Sequence, residues 1–347
     1  MQGRGVSLTE FLIQEQRKIP GATGELTLLI SDIARICKAI AREVRYGALF
    51  GNLGQIGAEN IQGEAQQKLD VVANDIMIGV LRRSGHVAAM ISEENDEVIS
   101  VPKENRGKYL VCFDPLDGSS NININMCIGT VFSILRCPEG VDEPTEEHFL
   151  QPGIHQVCAG FCVYGPTVTL ILTTGNGTHG FTLHQGVGEF VLTHPDIRIP
   201  EEAKEFAINM SNWRFWEPPV RRFIEECLQG KEGPLGKDFN MRWIASFVAE
   251  AYRILTRGGI WTYPLDEKLK AKGLDGRLRL MYEANPIGFI VEQAGGVIST
   301  GRERVLTMQP KHIHQRVPLF LGAKKEMERI EAYHREWDSG QRDSPGP

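Results

Sequence analysis

Residues 109 to 121 read Tyr-Leu-Val-Cys-Phe-Asp-Pro-Leu-Asp-Gly-Ser-Ser-Asn, and few arrangements can accommodate them. The apolar, aromatic-rich stretch 109 to 113 reads as a buried strand, which stops where Asp114 and Pro115 open a turn. Its acids therefore lie at the strand's C-terminal end. In an open α/β sheet that edge gathers ligands, because its loops vary while the strands hold them rigidly. Asp114 and Asp117, three apart across a proline-stiffened turn, can point carboxylates at one cation. Gly118, Ser119 and Ser120 then offer backbone N–H groups and two hydroxyls to an anion beside it. Taken alone, Asp-Pro-Leu-Asp-Gly is equally an ordinary turn, since these residues form turns for purely conformational reasons. A second cluster tips the balance: residues 86 to 91 read as another short strand and run directly into Ser92-Glu93-Glu94. Two strands ending in carboxylates suit hard divalent cations, which take oxygen ligands and accept phosphate oxygens to complete the shell.

The chain of 347 residues can bury a large core as one or two domains. With 38 Lys+Arg against 44 Asp+Glu, a formal net charge of −6, nothing in the composition points to a nucleic-acid surface, and any anion must be caught locally. Residues 1 to 9 contain neither an apolar segment nor a cleavage site, and no run approaches the roughly 20 apolar residues of a membrane span, which predicts a cytoplasmic protein. Seven cysteines, most of them within apolar runs, fit reduced, buried thiols. Cys158 and Cys162 would face the same side of one strand, where core packing explains them better than zinc or redox chemistry.

Taken in order, residues 8 to 18 read as a short helix, and 20 to 24 break it, with Thr23 or Gly24 placed to cap a second helix. Leu26, Leu29, Ile30, Ile33, Cys37, Ile40 and Val44 then recur at helical spacing as far as Tyr46-Gly47. The start of that helix, Gly24-Glu25-Leu26-Thr27, has free N–H groups suited to a phosphate or to simple capping. Residues 47 to 63, with Gly51, Gly54, Gly57 and Gly63, predict a long mobile connection of the kind that is often functional. Glu64 and Asp70 bracket its exit, and Asp70 begins another helix. Five apolar runs between 127 and 193 read as mainly antiparallel sheet. Residues 198 to 203 are polar with a proline and form the candidate boundary between units 1–200 and 201–338, with a tail at 339–347. Beyond that boundary strands at 206–210, 240–244, 260–263 and 319–322 alternate with helices at 219–228, 246–256, 280–293 and 324–337, which predicts a layered α/β domain. Glu283 lies within the third of these helices, where a lone buried carboxylate would be costly without a cation.

With these motifs placed, the sequence resembles the class I fructose-1,6-bisphosphatases. The resemblance rests on Ser92-Glu93-Glu94, the run from Phe113 to Ile122, Gly107-Lys108-Tyr109, Gly258-Gly259-Ile260 and the run from Leu278 to Pro286. Gly24-Glu25-Leu26-Thr27 and His314-Gln315-Arg316 extend it, so it spans roughly Leu8 to Tyr333. Inositol monophosphatases carry a string like Asp-Pro-Leu-Asp-Gly; the whole ordered set is much more specific.

The resemblance implies a layered αβαβα sandwich of the sugar phosphatase type with mixed sheets. It implies an N-terminal, AMP-type allosteric domain carrying most metal ligands and a C-terminal sugar-bisphosphate domain. The implied reaction is removal of the 1-phosphate of fructose 1,6-bisphosphate with several Mg²⁺ ions per subunit, for which Mn²⁺ or Zn²⁺ can substitute, in a homotetramer. Matched by motif, the metal ligands are Glu93, Asp114, Asp117, Glu283 and the carbonyl of Leu116. Asp70 and Glu94 are the pair that activates water, with Glu64 nearby. Gly118, Ser119, Ser120, Asn209, Arg242, Tyr263, Arg277 and Arg279 bind substrate, and Arg242 reaches a neighbouring subunit's site. Thr23, Gly24, Glu25, Leu26, Thr27, Lys108, Tyr109 and Arg136 meet the inhibitor AMP. The chain departs from the better-known animal pattern at Trp243 and Asn212, where tyrosines are usual, at Arg277, where a lysine is usual, and at Glu64, where an aspartate is usual. These departures surround the sugar, and a sedoheptulose-1,7-bisphosphatase or dual-specificity enzyme is the alternative they leave open. The cysteine-bearing insertion of light-regulated chloroplast relatives is missing from residues 138 to 151.

Overall fold

The computed structural model describes residues 5–18, 22–59 and 65–340. Five layers alternate. The outer helical layer comprises Leu8–Gln16, Glu25–Phe50 and Lys68–Leu81. Beneath it lies an eight-stranded sheet whose spatial order, named by first residue, is 189, 178, 168, 158, 128, 109, 87, 99. Helices Phe247–Arg257 and Asn285–Gln293 form the middle layer, and a five-stranded sheet in the order 240, 205, 260, 319, 297 comes next. Helices Pro218–Gln229 and Lys324–Asp338 close the far side. The expected αβαβα sandwich with mixed sheets is therefore the observed one.

The period-two pattern of the strands explains the layering. In strand Cys158–Tyr164, Cys158, Cys162 and Tyr164 join the core under the outer helices, while Ala159, Phe161 and Val163 join the core around the middle helices. The smaller sheet likewise turns Trp261, Leu319 and Leu321 to the middle layer and Phe206, Ile260 and Phe320 to the closing helices. With both faces covered, its central strands Ile260–Tyr263 and Leu319–Gly322 read as nearly continuous apolar runs. All seven cysteines are free, as a reduced core requires. Among the described residues no helix is long and apolar enough to cross a membrane.

Several elements differ from the sequence reading, among them the strands expected at 206–210 and 240–244, which are only Glu205–Ala207 and Asn240–Met241. The long helix continues three residues past Gly47, to Phe50, and Gly51 ends it in the left-handed conformation, φ 74°, with its N–H bonded to the Gly47 carbonyl. The glycine-rich stretch after it is partly ordered as antiparallel strands Gln55–Glu59 and Ala65–Gln67. Residues 280 to 293 are not one helix: Leu280–Ala284 form a π-helical turn that leads into Asn285–Gln293. Pro286 lacks the N–H that an α-helical bond to residue 282 would need, so the turn widens.

Strand Ile128–Arg136 lies between the acid-bearing strand and strand Cys158–Tyr164, and the middle helix Phe247–Arg257 packs on it closely at Gly129. A Cβ at Gly129 would lie 2.3 Å from the Cys162 carbonyl oxygen and 2.8 Å from Val248 Cγ2. Gly129→Ala should therefore cost about 1–3 kcal/mol of stability through overpacking, seen as a lower urea midpoint at unchanged m-value. An unshifted midpoint would show that helix and sheet can separate freely.

Candidate active site

The two acid-tipped strands are neighbours and parallel, with Ser92 opposite Phe113, so both sets of carboxylates emerge at one edge. The Glu93 N–H donates to the Phe113 carbonyl at 3.1 Å and holds the tips together. The acid strand does not stop at Phe113; it runs from Tyr109 to Asp117 and is buried throughout. Against its antiparallel partner Asp114 pairs with Val131 and Asp117 with Gly129, three residues opposite two. Strict alternation would send Asp114 and Asp117 to opposite faces. The extra residue of this bulge returns both to the same side. Thr130 Oγ1 donates to the Pro115 carbonyl at 2.9 Å, satisfying the group the bulge leaves unpaired.

Asp114, Asp117 and Glu283 each bring a carboxylate oxygen within 4.8 Å of the others, and all three are buried. Asp117 is held by the start of helix Phe247–Arg257, accepting from Ser246 Oγ at 3.1 Å and the Val248 N–H at 3.0 Å. The π-helical turn presents Glu283, which accepts from the Arg279 N–H at 2.6 Å. The Arg279 guanidinium lies 2.5 Å from Glu93 and 3.7 Å from Glu283. Asp70 sits in the first turn of helix Lys68–Leu81, where it accepts from the Gln67 N–H at 2.8 Å. The Ser119 hydroxyl lies 2.6 Å from Asp70 Oδ1 and 2.8 Å from the Leu116 carbonyl, and its single proton can serve one of them at a time. Gln66 Nε2 donates to Glu94 at 2.6 Å, so the short hairpin touches the acid edge.

Burial dominates the protonation of these acids. It raises Asp70 to about 7 and Asp117 to about 6 despite the hydrogen bonds each accepts. Glu283 rises to about 8, again chiefly by burial, even with Arg279 beside it. Asp114 is pushed well above the carboxylate range by burial and then by the charges of Glu93, Asp117 and Glu283. A site of hard, anionic oxygens with too little positive charge fits a divalent cation.

One cavity of about 580 Å³ is lined by Asp70, Glu93, Glu94, Asp114, Leu116, Asp117, Gly118, Ser119, Ser120, Asn209, Tyr263, Arg277, Arg279 and Glu283. Glu64 lies outside the described residues. Arg242 does not line this cavity; its Nε bonds Glu205 at 2.9 Å. Sequence reasoning passed over Ser246, Phe247, Trp261 and Ala245, which also line it. Phe247 and Trp261 stack at 4.7 Å, and Trp243 and Tyr263 continue the aromatic wall. Ala245 is held at φ 59°, a strained value for a non-glycine residue, next to a carbonyl fixed by Asn121 Nδ2. A serine before an apolar helix signals a cap, but not that the capped helix end would also grip Asp117. Past Tyr263 and Arg277 lies a small pocket of about 150 Å³ with Asn212, Lys268 and Lys272.

Thr23, Gly24, Glu25, Leu26, Thr27, Lys108, Tyr109 and Arg136 meet around a separate cavity of about 250 Å³ at the start of helix Glu25–Phe50. Lys108 pairs with Glu25 at 2.8 Å, and the Arg136 guanidinium lies 5.9 Å from the Tyr109 ring centre.

Known proteins match the chain along nearly its whole length. Residues 6–195 match the family model described as fructose-1-6-bisphosphatase, N-terminal domain, and residues 199–335 that of the C-terminal domain. The chain is 55% identical over 334 residues to the fructose-1,6-bisphosphatase class 1 of Halorhodospira halophila, covering 96% of this chain and 99% of that one. It is 56% identical over 341 residues to the enzyme of the same name from Hydrogenophilus thermoluteolus, covering 98% and 94%. The crystal structure of Leishmania major fructose-1,6-bisphosphatase in holo form superposes with a TM-score of 0.89 at 36% identity, covering 96% of this chain and all of that one. The apo form gives 0.84 at 34% identity, covering 95% and 99%.

The raised acids set a pH dependence. Asp70, Asp117 and Glu283 titrate near 3.8 to 4.5 when unfolded and at about 7, 6 and 8 when folded. The unfolded chain therefore loses these protons first, and the stability they favour, full below pH ~4, drains away as pH rises to ~8. A cation binding only the folded, ionised acids opposes that loss. The rise in melting temperature on adding Mg²⁺ to chelator-treated protein should thus grow between pH ~5 and ~8. A constant increment would separate the cation from these carboxylates.

Proposed function

The chain belongs to the class 1 fructose-1,6-bisphosphatase family, and from that membership we propose that it hydrolyses the 1-phosphate of fructose 1,6-bisphosphate, giving fructose 6-phosphate and phosphate. The observation that carries this reading is the buried trio Asp114, Asp117 and Glu283, which opens into the same cavity as Asp70 and Glu94. Glu93, Asp114, Asp117, Glu283 and the Leu116 carbonyl would hold Mg²⁺, several ions per subunit. When bound, the cations neutralise phosphoryl oxygens and lower the pKa of water. The Halorhodospira, Hydrogenophilus and Leishmania relatives lend no support to the seven-carbon alternative.

The chain's own groups supply the rest. Asp70, ionised above pH ~7, takes the proton of the attacking water, with Glu94 beside it. The Gly118 to Ser120 turn directs N–H and hydroxyl groups at the phosphoryl oxygens as charge builds there, and Gly118 adopts φ 82° to make that turn. Tyr263, Asn209 and Arg277 orient the sugar bisphosphate along the aromatic wall, and the small pocket beyond them suits its other phosphate. Arg242, directed away from its own chain's cavity, serves a neighbouring subunit of a homotetramer. AMP, held through its phosphate at the start of helix Glu25–Phe50 by Lys108, Tyr109 and Arg136, inhibits.

Asp117→Asn should keep the fold and lose at least about 100-fold in kcat. Excess chelator should silence the parent enzyme and Mg²⁺ restore it, followed as phosphate release from the fructose and sedoheptulose bisphosphates in parallel. Activity that survives the chelator, or the aspartate change, would sink the metal assignment.

AMP should inhibit the parent, and Lys108→Ala should raise the AMP concentration for half inhibition by roughly 10- to 100-fold, the effect of one charge-assisted contact. Its kcat should not move, because Lys108 lines the other cavity. Indifference of the parent to AMP, with activity rising on thiol reduction, would mean that the regulation runs the other way.

A further inference from the structure

Glu205 begins the short strand Glu205–Ala207, beside Asn240–Met241 in the smaller sheet. Its side chain is only 6% exposed, yet it accepts from three arginines. Arg242 Nε lies at 2.9 Å, Arg253 at 3.1 Å and Arg257 at 2.5 Å. Arg253, equally buried, also bonds the fully buried Glu250 at 2.9 Å. Glu250 in turn accepts from the Ile244 N–H at 2.8 Å. The network thus begins at Arg242 and returns to the same segment two residues later. It sets three guanidiniums against two carboxylates, and the surplus positive charge sits at Arg242 and Arg257, whose side chains are 48% and 56% exposed.

The backbone fixes the direction. The Arg242 N–H donates to the Phe206 carbonyl at 2.9 Å, which ties it to the strand that Glu205 starts. Trp243 lines the active-site cavity while its neighbour Arg242 does not, as alternation along an extended segment requires. The Arg242 Nε–H donates to Glu205, and the two terminal nitrogens of Arg242 have no hydrogen bond among the described residues. A guanidinium gripped at Nε keeps its terminal pair as a preset fork for a phosphate.

We propose that Glu205 is a positioning residue: it fixes the Arg242 fork for the substrate's second phosphate, and Arg253 and Glu250 fix Glu205. This rests on the reading that Arg242 binds that phosphate. A flexible arginine loses side-chain entropy when it closes on an anion, whereas one already held loses less, so the gain lies in substrate affinity. A buried ion network is weak evidence of stability in itself, which makes specificity the better account of a carboxylate with three partners.

The test is a cycle of Glu205→Gln, Arg242→Ala and the double variant in the full-length enzyme. KM and kcat are measured with fructose 1,6-bisphosphate and fructose 1-phosphate. Arg242→Ala should raise KM for the bisphosphate roughly 30-fold or more, and Glu205→Gln on the order of 5- to 10-fold, with kcat and the monophosphate little changed. The double variant should be no worse than Arg242→Ala, because without the fork there is nothing to position. Additive losses, equal losses on the monophosphate, or a lowered KM in Glu205→Gln would overturn the proposal. Should Glu205→Gln melt far below the parent, Glu205→Asp keeps the negative charge, draws it back by one methylene and carries the same comparison. If Arg242→Ala impairs bisphosphate use and neither Glu205 variant does, positioning fails alone. If Arg242→Ala changes nothing, the reading of Arg242 fails first and the proposal with it.

Discussion

Like charge forced together out of water is the constraint around which this molecule is arranged. Two carboxylates 4.8 Å apart, the spacing within which Asp114, Asp117 and Glu283 meet, repel by about 3–4 kcal/mol at an effective dielectric of about 20, before burial is counted. Each acid comes from a different element and has its own restraint: a bulge for Asp114, a helix start for Asp117, a π-helical turn for Glu283. Arg279 compensates only in part, since Glu283 remains raised beside it. Such a cluster is stable as protonated acids or as ligands of a cation.

The sandwich delivers these restraints to one point. Helix Phe247–Arg257, in the middle layer, packs its apolar side against both sheets, and that places its first N–H groups against the last residue of the acid strand. The larger sheet supplies Asp114 and Asp117, and the π-helical turn supplies Glu283. The smaller sheet supplies Asn209, Trp261 and Tyr263 from the ends of its central strands. The cavity is therefore a seam between the two family domains, and even the acid trio draws on both, since Glu283 belongs to the second.

Much of this was legible in the sequence, for identifiable reasons. Glu93 is readable because an apolar run that halts at an acid marks a strand end, and Asp114 because an acid-proline pair breaks the apolar run, although its strand continues to Asp117. The layering is readable from alternation. The bulge is not, because it exists only relative to the register of a partner strand, and strand 109–117 looked four residues shorter without it. Ser246 reads as a cap, but its bond to Asp117, 129 residues away in sequence, needs the fold. Glu205 gave no signal at all: an acid at the start of a short strand is commonplace, and its meaning comes from three arginines that only packing brings to it.

The two cavities sit at opposite ends of one strand, with Tyr109 lining one and Asp114 and Asp117 the other. The strand spans roughly 25 Å at about 3.3 Å per residue. It is a poor transmitter of change, because it is buried along its whole length and bonded on both edges, and a one-residue slip would turn every side chain over. The second connection is better suited. Helix Glu25–Phe50 begins at the Lys108 cavity and lies in the same layer as helix Lys68–Leu81, whose first turn carries Asp70. Between the two helices the chain passes through the hairpin that ends at Gln67 and touches Glu94 through Gln66. Packed helices can shift against a sheet in small steps without breaking a ladder of hydrogen bonds. The start of helix Glu25–Phe50 is thus linked through the helical layer to the turn that carries Asp70 and, by way of Gln66, to Glu94, whereas Asp114 and Asp117 are fixed by the sheet.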